Sequence, residues 1–357
     1  MYDVCIVGGG FCGLVLARTL SAVGYRCLLL EQKASLRPAS DPRSIVLSYG
    51  SYANLKQLGF CFEGLNPHPI TTVDYRLKGV WGHWHLAAQA YAVPALGYVV
   101  NAGQWLNQCV SDLGAVCVHT GVQLVSLSPL EGDTTAWRIT LKHQASIDAR
   151  LVIGADGSNS WVRSTLGLAV ETYLEDYLAL LMPVKGPQLQ AWIKGCSVGT
   201  LALIPHSATQ GMCIWTGPRA RIERLKSTPV RERLTRQVAG SVMADLTMGP
   251  AYPSFPVSAH QTSTAPPLGV VLVGNAAQTL PPVAAQGFNC GLKDCIALIE
   301  SCMDALSDRQ NLAQHVQSAQ CQRQDDVSHT MKLSLQALNA YRHVRRLGPL
   351  GAVVLPF

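Results

Sequence analysis

Apolar residues gather in short runs along this chain, and the spacing between the runs separates strands from helices. Val4–Val7 is an unbroken apolar run, and so is Cys27–Leu30. Runs of this length without polar alternation predict strands buried on both faces, as in a parallel sheet. Between them, Leu14 to Ala22 carries apolar residues at helical spacing, so the segment reads strand, turn, helix, strand. Apolar runs at 151–153 and 270–273 each break at a glycine-bearing turn. Helices are predicted from Ala102 to about Leu113, from near Gly287 through Asp294, Leu298 and Glu300, and over 312–347. Short β-like runs at 80–86, 137–142, 177–184, 200–204 and 212–216 predict a second sheet, separate from the first unit. The fold class is α/β.

The turn of the first unit holds Gly8, Gly10 and Gly13 in G-x-G-x-x-G spacing, and the second run ends in Glu31. Each residue has a physical role in holding a dinucleotide. Gly8 permits the tight turn, Gly10 leaves the backbone open to a pyrophosphate, and Gly13 lets the helix pack close to the strand. The helix N-terminus offers free N–H groups and the positive end of its dipole. Glu31 can accept hydrogen bonds from ribose hydroxyls.

Charge narrows the choice of partners. Of 357 residues only 14% are charged, against about 25% in ordinary soluble proteins. So sparse a surface suits contact with a membrane or an apolar partner. The net charge of +6 is mild and is read as too diffuse for a nucleic-acid protein. Twelve cysteines lack C-x-x-C pairs and metal-like spacing, which points to a reducing cytoplasm rather than to disulfides or a metal site. The chain runs directly into its first strand, and no apolar run approaches 18 residues. The expectation is therefore no signal peptide and no transmembrane helix.

Other candidate residues sit at turns. Arg43 follows the acid-tipped strand, within reach of a phosphate, although a surface arginine is the commoner case. Gln104 near a helix start reads as a cap before it reads as a ligand. Asp156 and Gly157 end a strand that returns to the sheet, where a carboxylate touches either a cofactor or its own turn. Asn275 and Ala276 end another strand, and a proline-bearing loop leads to Gln286, Gly287, Phe288 and Asn289 at a second helix start. His206 and Pro282 are candidates for lining a reaction site, with a structural histidine the commoner case.

Together GGGFCG with Glu31, the GADG element at 154–157, and GNAAQ followed by PVAAQGFNCGLKD resemble the flavoprotein aromatic hydroxylases, the class A FAD monooxygenases. DPRSIVLSYGS and Asn275-Ala276-Ala277-Gln278 are most similar to the ubiquinone-biosynthesis branch, in particular to 2-polyprenyl-6-methoxyphenol hydroxylases. The resemblance implies a Rossmann-like, glutathione-reductase-type FAD domain (1–70, 98–176 and 262–311), interleaved with a β-sheet substrate domain (71–97 and 177–261) and followed by a C-terminal helical segment (312–357). It implies that FAD is held by Gly8, Gly10, Gly13, Glu31, Arg43, Gln104, Asp156, Gly157, Asn275, Ala276 and the 282–289 loop, with NAD(P)H as electron donor and no second nucleotide fold. It further implies hydroxylation of a polyprenylated phenol by O2 through a flavin C4a-hydroperoxide. The alternatives are a soluble aromatic substrate and a non-catalytic flavin subunit. Partners would include the membrane surface and other ubiquinone-biosynthesis proteins, with the protein cytoplasmic or peripheral to the inner membrane. Tyr341–Phe357, with its arginines and apolar residues, is the expected docking stretch. One departure stands out: the family loop has glycine where this chain has Ala285. If that position needs positive φ, alanine costs on the order of 1 kcal/mol.

Overall fold

A computed structural model describes residues 1–37, 41, 43–77, 83–240, 245–282 and 285–347. The first apolar runs become neighbouring parallel strands. Tyr2–Val7 lies between Cys27–Glu31 and Ile147–Gly154, and Cys117–Thr120 extends the sheet beyond Cys27–Glu31. Val270–Leu272 adds in parallel at the carboxyl end of Ile147–Gly154. Alternate residues of one strand enter different cores. Val4 and Ile6 pack under the helices α1 (Phe11–Ala22), α2 (Tyr49–Gln57) and α3 (Ala102–Ser111). Cys5 and Val7 pack on the opposite face with Leu28, Leu30 and Val152. Burial on both faces explains the lack of polar alternation in the sequence.

The run at 137–142 is a correction to the sequence reading. It belongs to the strand Asp133–Leu141, which pairs antiparallel with Ile147–Gly154 and with Leu124–Leu130 in the first sheet. The cause is its short connection to the next strand, which favours a hairpin with its sequence neighbour. The other runs form a nine-stranded sheet, to which Val170–Lys185, Ala191–Gly195, Thr200–Pro205, Gln210–Pro218 and Phe255–Thr262 contribute. Of the run at 80–86, residues 80–82 lie outside the described residues, and Trp84–Ala87 pairs with Thr72–Leu77 in this sheet. Val170–Lys185 is one strand running through residue 176, and Gln278–Thr279 also joins the sheet beside Phe255–Thr262. A small third sheet, Ser44–Ser48, His68–Ile70 and Gly97–Asn101, lies between the two large ones.

The two faces of the nine-stranded sheet differ. Val73, Ala191 and Ile204 meet Ile70, Val99 and Val46 of the small sheet. Trp192, Leu201, Leu203 and Trp215 point the other way, under the layer formed by α5 (Arg219–Ile222) and α6 (Thr228–Ala239). A short α4 (Trp161–Thr165) follows the GADG turn. The chain continues through α7 (Gln286–Asp304) into the 36-residue α8 (Leu312–Leu347).

Candidate functional site

Parallel strands deliver their carboxyl ends to one edge, which is where a sheet of this kind receives ligands. Val7 is registered with Leu30 and Gly154, and Gly154 with Leu272. Gly8–Gly10, Glu31, Ala155–Gly157 and Gly274–Ala276 therefore emerge side by side. Gly8 has φ +108° and lies so close to Ala155 that an added Cβ would meet its carbonyl oxygen at 2.5 Å. At Gly13 a Cβ would overlap the Gly8 carbonyl oxygen, whereas at Gly10 nothing lies within 4 Å. Two of the glycines thus close the turn and the third leaves space above it. Glu31 is fixed at the rim: Gly9 N–H donates to Oε2 (2.6 Å) and Lys33 N–H to Oε1 (2.8 Å).

Two helix N-termini open toward this edge without side-chain caps. Those of α2, α3 and α4 are capped by Ser48, Asn101 and Ser160, while α1 and α7 have no capping side chain. Uncapped N–H groups are available to an anionic or polar ligand. Phe11 at the start of α1, Phe288 at the start of α7 and Trp105 of α3 share an aromatic cluster, with centroids 4.7–5.8 Å apart. This cluster brings the two helix starts together. Ala285, just before α7, has φ 53° and ψ 31°, the left-handed conformation in which its side chain is strained. Gln286 is exposed, Gly287 is half-buried with room for a Cβ, which would meet only Leu280 at 3.9 Å, and Pro282 is half-buried.

Asn289 is buried and fully engaged with the protein. Ser48 N–H donates to its Oδ1 (2.8 Å), and its Nδ2 donates to the Val46 (2.9 Å) and Ala285 (3.0 Å) carbonyls. Its side chain therefore acts as a clasp between α7 and the small sheet. Gln104 is likewise not the cap of α3: Asn101 caps it, accepting from Gln104 N–H at 2.9 Å, and the Gln104 residue is exposed. Arg43 pairs with Asp41 through contacts of 2.6–3.1 Å, next to the start of α3, where Ala102 N–H donates to the Arg43 carbonyl (3.0 Å). Burial pushes the Asp41 carboxyl up, but the hydrogen bonds and charge of Arg43 outweigh this and hold it below the usual carboxylate range.

Asp156 Oδ2 accepts from the N–H groups of Trp161 (2.7 Å) and Val162 (3.1 Å), whereas its buried Oδ1 accepts nothing among the described residues. Behind it is a residue the sequence reading passed over. Arg163 is buried, and donates to the carbonyls of Ser158 (2.6 Å) and Ala276 (2.7 Å), tying the GADG turn to the 274–276 turn. It also meets His260 Nε2 at 3.2 Å. An arginine cannot accept, so the Nε2 of His260 must accept and its Nδ1–H donates to Thr279 Oγ1 (2.8 Å). Burial and then the Arg163 charge lower the His260 pKa, keeping the ring neutral. The available signal was an arginine in the first turn of a helix, where the dipole opposes a cation unless acceptors surround it. Asn275 is exposed at the start of the Gly274–Ala276 turn.

His206 lies at the end of Thr200–Pro205, and its Nε2 is 2.5 Å from Ser44 Oγ, one residue from Arg43. The nine-stranded sheet thereby touches the rim of the nucleotide edge. Burial, with His68 nearby, lowers the His206 pKa. Among the described residues there is no cluster able to hold a metal, and no helix is long and apolar enough to cross a membrane. Of the expected docking stretch 341–357, the structure describes only helical backbone, to Leu347.

The edge fits a dinucleotide. It offers an open space above Gly10, an acid at the rim, an unsatisfied buried carboxylate oxygen on Asp156 and two uncapped helix starts. The model of the family described as FAD binding domain matches residues 1–315. The chain is 30% identical over 326 residues to the 3-demethoxyubiquinol 3-hydroxylase of Escherichia coli (strain K12), covering 85% of this chain and 80% of that protein. It is 27% identical over 311 residues to the ubiquinone hydroxylase UbiL of Rhodospirillum rubrum, covering 84% and 71%. In structure it is similar to Pseudomonas aeruginosa PqsL in complex with 2-aminobenzoylacetate, with a TM-score of 0.79 and 18% identity over 96% of this chain and 98% of that one.

Proposed function

This chain belongs to the FAD binding domain family, and from that premise we propose that it hydroxylates a polyprenylated phenol of ubiquinone biosynthesis, using NAD(P)H and O2. It is an FAD-dependent monooxygenase of the aromatic hydroxylase class. The substrate class is supported by its likeness, along 85% of its length, to a demethoxyubiquinol hydroxylase.

In this reading Glu31 receives the adenosine ribose, the N–H groups above Gly10 receive the pyrophosphate, and Asp156 Oδ1 takes a hydroxyl of the linking chain. Arg43, Gln104, Gly157, Asn275 and Ala276 border the same path, and the start of α7 at Gln286–Phe288 faces the ring end. When bound, the flavin supplies the activation of O2 and the transfer of one oxygen atom. The protein's own work is to position the phenol, keep out water and manage its proton. The apolar contact of Val73, Ala191 and Ile204 with Ile70 and Val99 closes the junction of the sheets to water. His206, kept neutral by burial and touching Ser44, can accept the phenol proton there. Pro282 is assigned to the ring side of the same junction.

The test is turnover by purified FAD-loaded protein of a short-prenyl demethoxyubiquinol analogue under 18O2. The expected result is NAD(P)H oxidation that depends on the phenol, with one labelled oxygen in the product. A second reading, a flavin-binding subunit without turnover, draws on the strained Ala285 beside the ring site. Normal flavin content with no phenol-dependent oxidation would favour it. Quinone-intermediate profiling of a strain lacking the protein would identify the ring position.

A further inference from the structure

The net charge that the sequence reads as diffuse is in fact almost wholly local. Residues 219–236 carry seven cations and two carboxylates, so this stretch accounts for +5 of the +6. The stretch forms α5, the turn after it and α6, on the face of the nine-stranded sheet that points away from the nucleotide edge. One of the cations serves the fold itself. Arg231 is buried and donates to the carbonyls of Leu225 (3.1 Å) and Lys226 (3.3 Å) and to Thr228 Oγ1 (3.1 Å). It fixes the turn against α6. The other six, Arg219, Arg221, Arg224, Lys226, Arg233 and Arg236, are exposed.

Three of these six converge. Arg221, Arg224 and Arg233 line one surface cleft with Ser197, Val230 and Leu234. Arg221 donates to the Ser197 carbonyl, which anchors it at the mouth. Among the described residues none of the three makes an ion pair with a carboxylate, whereas Arg219 pairs with Asp176 and Lys226 with Glu223. Guanidinium groups held without a counter-charge are suited to phosphate, which they bind through paired N–H donors. The half-buried Val230 and Leu234 beside them suit the glycerol and acyl edge of a lipid better than a free inorganic ion. The stretch carries most of the net charge of the chain, so it favours an anionic partner.

We propose that the α5–α6 face is a docking surface for an anionic phospholipid bilayer, with the cleft between Arg221, Arg224 and Arg233 taking headgroup phosphate. This deepens the reading of a polyprenylated substrate, and rests on it for its purpose: a long prenyl tail stays in the bilayer, so the enzyme must come to it. The face lies opposite the nucleotide edge across the sheet, so flavin binding does not compete for these arginines.

The test uses the full-length FAD-loaded protein, sedimented with vesicles of phosphatidylcholine alone or with 30% phosphatidylglycerol. The expected result is binding to the anionic vesicles at low salt, release at high salt and no binding to the neutral ones. The triple variant Arg221→Gln/Arg224→Gln/Arg233→Gln is expected to partition roughly a hundredfold more weakly, at about fivefold per charge. The variant should keep its flavin content, and its turnover of a short-prenyl phenol dispersed in detergent should be unchanged. Equal partitioning of both proteins, or no binding by the parent chain, overturns the proposal. Displacement by millimolar inorganic phosphate, but not by chloride of equal ionic strength, would make the cleft a free-phosphate site and also overturn it. Binding to a soluble acidic protein with none to vesicles would do the same. Failure of the hydroxylase reading would show instead in the detergent assay, with vesicle binding intact.

Discussion

Gly10 and Gly13 stand three residues apart in one turn, yet a side chain would have different effects at each. At Gly13 even a methyl group overlaps the Gly8 carbonyl, while the space above Gly10 is open within 4 Å. Gly10→Val should therefore give a folded protein without FAD, and Gly13→Val should fail to fold. Far-ultraviolet circular dichroism together with flavin absorbance separates the two outcomes, and full flavin content in Gly10→Val would refute the pyrophosphate placement. Ala285 presents the opposite case, a side chain where glycine is at ease. Its φ of 53° costs about 1–2 kcal/mol, and glycine regains this less the about 0.4–1 kcal/mol it loses to the freer unfolded chain. Ala285→Gly should thus stabilise the protein by up to about 1.6 kcal/mol, read as a higher flavin-release temperature. Asn275→Asp would set a carboxylate by the expected pyrophosphate path. At an exposed residue the effect is screened, so a loss of about 1 kcal/mol or less in FAD affinity is expected, measured by titration of the apoprotein.

At the scale of elements, the sequence carried the periodicities but not the partners. Val4–Val7, Cys27–Leu30, the helices from Ala102 and near Gly287, and the long final helix were all legible, because each is a local pattern of burial. The strand containing Trp137 was legible as a strand but misplaced, because an alternating pattern says which face is buried and not against which neighbour. Only the register of Trp137 with Ala149 puts it in the first sheet. The joints between elements were the least legible, since Arg163, His260 and Asn289 act through contacts 97 to 243 residues away in sequence. One joint has a pH dependence that can be derived. Arg163 requires His260 to accept, and protonation would set two donors against each other. The folded pKa of His260 lies below its ordinary value, so the folded state takes the proton less readily than the unfolded one. Stability is therefore complete above about pH 6.5, and falls as the pH drops from there toward the lowered value. The flavin-release temperature should decline from pH 7.5 to 5.5, and His260→Gln should reduce that decline. His68 and His206, also lowered, will keep part of it. An unchanged slope in the variant would remove His260 from the account.

Across the whole molecule, the C-terminal helix is tied to the nucleotide edge through one buried carboxylate. Asp294 of α7 is 8% exposed, and its Oδ2 accepts from Gly274 N–H (3.1 Å) and Gln278 Nε2 (2.5 Å). Its Oδ1 accepts from Nε and Nη2 of Arg323 on α8, both at 3.1 Å. The strand end that leads into Asn275 and Ala276 is thus held by a charge whose counter-ion sits on the last helix. Burial raises the Asp294 pKa even though Arg323, Gln278 and Gly274 all oppose the rise. Removing the arginine would leave the carboxylate buried without its cation, which costs on the order of 3 kcal/mol. Arg323→Leu should lower stability by about that amount near pH 8, by chemical denaturation, and should loosen FAD together with the fold. The sign of the pH effect follows from the raised pKa. Without Arg323 the pKa rises further, and below it the carboxyl is neutral, so the gap between parent and variant should narrow as the pH falls to 5. In Asp294→Asn/Arg323→Leu the amide oxygen can still accept from Gly274 and Gln278 and no charge is buried. The double variant should therefore recover much of the loss. A gap that is the same at both pH values, and no recovery in the double variant, would mean that Arg323 holds α8 by packing alone.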